Sequence, residues 1–167
     1  MQHSPNLLFL AFFLATLVSR GDTSTDTAKP QLDKLMTVFP SLYWYASDAC
    51  MRETSRSGGQ AQKHDDFVKD NRANVSKIEE TDIKGSNVLK AEVRLLDPKE
   101  PNEHWIFEFV YTEGRWNAHT AYKYFGLKRT FDLYEADPFM GSMKPYIQRG
   151  LEAFAEEKDF KTIHQKK

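Results

Sequence analysis

The chain has 167 residues, with 23 basic against 24 acidic side chains and a formal net charge of -1. That is the length of one domain, and the charge is too balanced to hold nucleic acid or an anionic membrane by electrostatics. Hydrophobic residues at 40% and charged residues at 28% exclude a disordered or collagen-like chain, and a single cysteine, Cys50, excludes an internal disulfide and a four-cysteine zinc site.

The first element is Leu7 to Val18 (LLFLAFFLATLV), twelve uncharged residues. A membrane span needs roughly 20, so this run predicts a signal peptide, with Ser19 and Gly21 as the small residues before a cut ahead of Asp22. Residues 1–21 are read as leader, 22–30 as a polar flexible linker, 31–160 as a single α+β domain and 161–167 as a polar tail. Export implies a secreted or periplasmic protein, free of the membrane after cleavage. Cys50 follows Ala46 and Ala49 on one helix face, and burial as a small hydrophobe is expected for it. Asn74-Val75-Ser76 is a glycosylation sequon, which matters in a host that glycosylates exported chains.

Leu32, Leu35, Met36 and Phe39 fall on one helical stripe that should stop or kink at Pro40. Ser41 can cap a second helix carrying Leu42, Tyr45, Ala46 and Ala49, with a short strand from Leu42 to Tyr45 as the competing reading. Gly58-Gly59 marks a loop, and Asp65-Asp66 can open a short helix that runs to Asn71. The period then changes to two. Leu89, Ala91, Val93 and Leu95 alternate with Lys90, Glu92 and Arg94, and Trp105, Phe107, Phe109 and Tyr111 alternate with Ile106, Glu108 and Val110. Glu113-Gly114 supplies a tight turn into Trp116, Ala118, Thr120, Tyr122 and Tyr124, and Val75 to Ile83 can add a fourth strand. A terminal helix with Met143, Tyr146, Ile147, Gly150, Leu151 and Phe154 on one stripe is the natural cover for the aromatic sheet face, Pro145 being acceptable near its first turn. Phe125 to Gly141 fits no single element, and its Asp137-Pro138 reads as a turn. The fold class is therefore α+β: N-terminal helices, a three- or four-stranded antiparallel meander, and a C-terminal helix packed on the sheet.

Turning at Glu113 and Gly114 places Tyr111 opposite Trp116, Phe107 opposite Thr120 and Trp105 opposite Tyr122, and on the other face Glu108 opposite His119. Symmetric pairing of the preceding strand sets Val93 against Phe107, Leu95 against Trp105, and Glu92 beside Glu108. A row Glu92, Glu108, His119 would then cross three strands. Two close carboxylates raise one another's pKa and an imidazole can share the proton, which is what acid-base chemistry needs. The same row offers two oxygens and one nitrogen to a metal. The plainer alternative is a solvated face with Lys90, Arg94 and Lys123 as counter-charges, and a register shifted by two would set Arg94 against Glu108. Neither a metal nor a cofactor is assigned, and His64 and His104 are read as surface residues.

The segment from Trp105 to Trp116 (WIFEFVYTEGRW) resembles the late hairpin of nuclear-transport-factor-2-like domains, where an aromatic strand, an acidic-Gly turn and a Trp-bearing strand recur. The likeness runs over residues 31–124 and implies a cone-shaped α+β domain. The chain departs from the family in continuing past that hairpin into a terminal helix. The family hosts isomerases, dehydratases and non-catalytic binding modules, and no catalytic residue of it can be matched here position by position. The function expected is a small exported binding or accessory protein acting through a protein partner or a modest apolar ligand. The rivals are an isomerase- or hydrolase-like enzyme using Glu108 and His119, with Glu92 as a modulating neighbour, and an inhibitor or immunity factor for another exported protein.

Overall fold

Leu32, Leu35, Phe39, Leu42, Ala46 and Ala49 recur at alternating steps of three and four, and the helix they define, α1 (Thr25–Thr54), passes through Pro40 without a break. The structure is a computed structural model and describes residues 25–54, 58–96, 103–125, 128–129 and 132–164. The helix does not stop at Pro40, the second helix expected from a Ser41 cap is continuous with the first, and the competing strand from Leu42 to Tyr45 does not form. A proline in a helix interior costs about 3 kcal/mol. Burying Leu32, Leu35, Phe39 and Leu42, all at 0% exposure, is worth about 1.5–3 kcal/mol each and outweighs it.

The helix also begins earlier than expected, inside the stretch read as linker. Ala28 is fully buried, its carbonyl accepts from the Trp116 indole at 3.1 Å, and Gln31 donates to the Gly114 carbonyl at 3.2 Å. The leader, residues 1–21, lies outside the described residues.

After α2 (His64–Asp70) come β1 (Arg72–Ile83), β2 (Ser86–Leu96), β3 (Glu103–Thr112) and β4 (Arg115–Phe125), paired antiparallel in chain order. A two-residue β5 (Lys128–Arg129) adds to the end of β4. The fourth strand expected over Val75 to Ile83 is β1, and the β2–β3 register is the expected one, with Val93 opposite Phe107, Leu95 opposite Trp105 and Glu92 opposite Glu108. At the β3–β4 turn Glu113 and Gly114 both hold positive φ, 54° and 75°, as a primed two-residue hairpin requires.

Tyr111 meets Trp116 as expected, but the register slips between Glu108 and Phe109. Phe107 therefore faces Ala121, Trp105 faces Lys123, and Glu108 faces Thr120. His119 is the extra residue of this β-bulge. The bulge puts Ala121 at 0% exposure into the core and turns the Thr120 hydroxyl to the opposite face, which satisfies both.

The aromatic face is covered chiefly by α1 at its centre. The Phe39 ring lies 5.3 Å from Phe107 and 5.5 Å from Phe109, and Tyr43 lies 5.5 Å from Phe107. Asp132 caps α3 (Leu133–Ala136), and Asp137 caps α4 (Pro138–Ala155) by accepting from the Phe139 and Met140 amides. Asp137-Pro138 is thus a helix start, and Pro145 lies in the helix interior instead of its first turn. The C-terminal helix α4 packs on β4 and α1, where Gly150 lets it close on Leu42. The expected polar tail folds as far as His164: a 3-10 turn, Phe160–His164, buries Ile163 at 1% exposure.

Candidate functional site

Alternation along β2 and β3 sends Leu89, Ala91, Val93, Phe107 and Phe109 toward α1 and leaves Lys90, Glu92, Ile106 and Glu108 on the second sheet face. That face is not the solvated one that its charges suggest. Glu92 is 4% exposed, Glu108 3% and Ile106 1%. The two carboxylate residues sit directly opposite one another across β2 and β3.

A buried carboxylate is tolerated only with donors around it, and Glu108 has them from both neighbouring strands. Lys90 of β2 approaches Oε1 at 3.3 Å, the Thr120 hydroxyl of β4 donates to Oε2, and the Tyr122 hydroxyl lies 3.4 Å from Oε2. Lys90 is shared, since Glu79 of β1 holds it at 3.0 Å and also pairs with Lys77. Burial alone would push the Lys90 ammonium down, but the Glu79 hydrogen bond and the Glu108 charge outweigh it and its pKa is raised. The Lys77 and Lys90 ammonium groups bring Glu79 down to about 2. The network therefore links β1, β2 and β3 through alternating charges and reaches β4 through the Thr120 and Tyr122 hydroxyls.

Of the row read from sequence, the structure brings Glu92 and Glu108 together and takes His119 out. The bulge gives the place opposite Glu108 to Thr120, and the His119 carbonyl accepts instead from Lys144 of α4 at 2.7 Å. The pairing of Glu108 with His119, on which the acid-base reading depended, does not form. Among the described residues no group of three or more His, Cys, Asp or Glu side chains is placed to hold a metal ion, and no helix is long and apolar enough to cross a membrane.

Two constellations on α1 escaped the sequence reading. His64, read as a surface residue, accepts or donates at both ring nitrogens: Nε2 lies 2.8 Å from the Ser41 hydroxyl and Nδ1 2.8 Å from Asp65. The ring stands against Trp44 and Tyr45, and Trp44 itself donates to the Gln62 carbonyl at 2.9 Å. The Asp65 side chain is 98% exposed, so water screens its charge and the set fastens α2 to α1. The second is Asp48, at 3% exposure, which takes Arg52 at 2.8 Å, the Gln60 amide at 2.7 Å and His164 at 3.5 Å. Burial works to raise its pKa, yet the Arg52 and Gln60 hydrogen bonds prevail and hold the carboxyl below the usual carboxylate range. Gly59, at φ 103°, is the residue that lets this loop close, because a Cβ there would lie 2.3 Å from the Asp48 carboxylate. Neither set carries a sequence signature: Ser41 to His64 and Asp48 to Gln60 are pairings that only the packing of a loop on a helix creates. Cys50 is buried as expected.

Comparison with known proteins finds no matching family model, no matching curated protein and no matching solved structure.

Proposed function

We propose that the chain is a small exported binding or accessory protein built on a nuclear-transport-factor-2-like cone. A long helix lying across an antiparallel meander, with the WIFEFVYTEGRW hairpin forming β3 and the start of β4, is compatible with that architecture. The observation that carries the functional reading is the state of Glu108. Its carboxylate is buried and engaged by Lys90, Thr120 and Tyr122, so it is a fixed part of the scaffold and not a base waiting for a proton. A general base needs its lone pair turned toward substrate. The aromatic face is also filled by α1, with Phe107 and Phe109 at 0% exposure, which favours a protein partner over an apolar ligand. Inhibition of another exported protein is one form such binding can take.

The test is capture on the immobilised chain from Asp22 onward, wild type beside Glu108→Gln, with retained proteins and small molecules identified by mass spectrometry and folding checked by circular dichroism. The same partner retained by both proteins is expected. Conversion of a small molecule by the wild type, abolished in a folded Glu108→Gln variant, would replace binding by enzymatic activity.

A second reading, a hydrolase-like enzyme, is favoured by the Ser41, His64 and Asp65 hydrogen-bond chain, which has the order of a nucleophile, base and orienter. Covalent labelling of Ser41 by a fluorophosphonate, lost in His64→Gln, would favour it.

A further inference from the structure

The sheet has two long edges, and they are treated differently. Along β4 the edge groups are met by side chains: the Ala118 amide donates to Gln148 at 2.9 Å, the His119 carbonyl accepts from Lys144 at 2.7 Å, and the Ala121 amide lies 3.4 Å from Asp132. On the other side β1 is the outer strand, and among the described residues it pairs with β2 alone. Ile78, at 36% exposure, is the exposed large hydrophobic side chain of the described residues and stands in the middle of this strand. An open strand edge with an apolar centre is a template for unwanted pairing.

The sequon Asn74-Val75-Ser76 lies in this same strand. Asn74 is exposed and opposite Arg94, on the face away from α1. Val75 is half-buried toward the core, and Ser76 falls at the irregularity between Val75 and Lys77, where its hydroxyl donates to the Glu92 carbonyl at 3.0 Å. The acceptor amide is thus presented to solvent while its neighbours hold the strand in place.

We propose that Asn74 is N-glycosylated during export and that the glycan covers the open edge of β1, as Gln148, Lys144 and Asp132 cover that of β4. The proposal rests on the exported reading above. The donor class is an oligosaccharide carried on a polyprenyl pyrophosphate: the Asn74 side-chain nitrogen bonds to the anomeric carbon and loses a proton, the bond from that carbon to the pyrophosphate oxygen breaks, and the lipid pyrophosphate leaves. No oxidation or reduction is involved.

The experiment uses eukaryotic secretory cells and two versions of the protein, the full chain with its own N-terminus and residues 22–167 behind an established secretory leader. Secreted protein should shift to higher mobility on treatment with a peptide N-glycosidase. Asn74→Gln and Ser76→Ala should abolish the shift, and Ser76→Thr, which keeps the sequon, should retain it. Protein secreted behind the established leader without any shift overturns the glycosylation site. Retention of the own-leader chain inside the cell, with the other version secreted and shifted, overturns the export reading and upholds the site. For the edge, sedimentation velocity should show Asn74→Gln self-associating at a concentration several-fold lower than the glycosylated wild type. Equal behaviour overturns the covering role.

Discussion

Phe107 packs against the Phe39 and Tyr43 rings with no exposed surface, so Phe107→Ala removes an entire buried ring and leaves a cavity that its neighbours fill only in part. The expected loss is about 3–5 kcal/mol in a urea titration; a loss below about 1 kcal/mol would mean that this face is open. Asp48 gives a prediction with a pH signature. Its folded-state pKa is depressed, so its ionised form adds stability that is present above the ordinary carboxylate range and is lost as pH falls through the depressed value. Asp48→Asn should therefore be less stable than wild type at neutral pH by about 1–3 kcal/mol, with the gap shrinking in acid. A gap independent of pH would show that the carboxylate charge is not what matters. At this scale the sequence was partly legible. Glu92 and Glu108 could be paired because a register symmetric about the intervening loop sets them opposite one another, though alternation alone equally allows the shift by two that would set Arg94 against Glu108. His119 could not be placed, because the bulge is decided by which small residue of β4 fits beneath a helix, and alternation holds no record of that.

The long first helix shows how one strong local signal can mislead. The step pattern from Leu32 to Ala49 keeps its phase across Pro40, which already argued for one helix, yet proline is the commonest reason for a helix to end. Pro40→Ala returns a backbone hydrogen bond and a propensity gain of about 3 kcal/mol. Against this stand about 0.8 kcal/mol for each buried methylene lost and up to about 1 kcal/mol of unfolded-state entropy. The balance predicts a rise of about 0.5–1 kcal/mol in thermal or urea unfolding, and a clear loss would mean that the proline shapes the helix for its packing. The protected edge of β4 is testable in the same spirit. Gln148→Ala should leave the Ala118 amide facing water and speed its hydrogen exchange, while amides paired within β3 stay protected. Unchanged exchange at Ala118 would mean that another group covers it. The Asp132 and Asp137 caps lay in the segment that matched no pattern, since short capped helices have no periodicity to read.

For the molecule as a whole, the α+β arrangement was legible because it rests on the change of period from helical spacing to alternation, repeated over long segments. The folded boundaries were not: polar stretches at both ends looked mobile, and only tertiary partners reveal Ala28 and Ile163 as buried. A chain beginning at Gln31 would lose Ala28 and its bond to Trp116. It should unfold at least 1 kcal/mol more readily than the chain from Asp22, and equal stability would return residues 25–30 to the status of a linker.

The bond from Trp116 to Ala28 spans 88 residues, and this has a consequence for synthesis. The stripe of α1 is made first but has nothing to lie on until Phe107 and Trp116 follow. At about 5–20 residues per second the ribosome needs roughly 3–13 seconds to pass from Leu42 to Phe107. For that interval the nascent helix carries a bare apolar stripe, which makes α1 the segment most in need of a chaperone or a translocation channel before the sheet arrives.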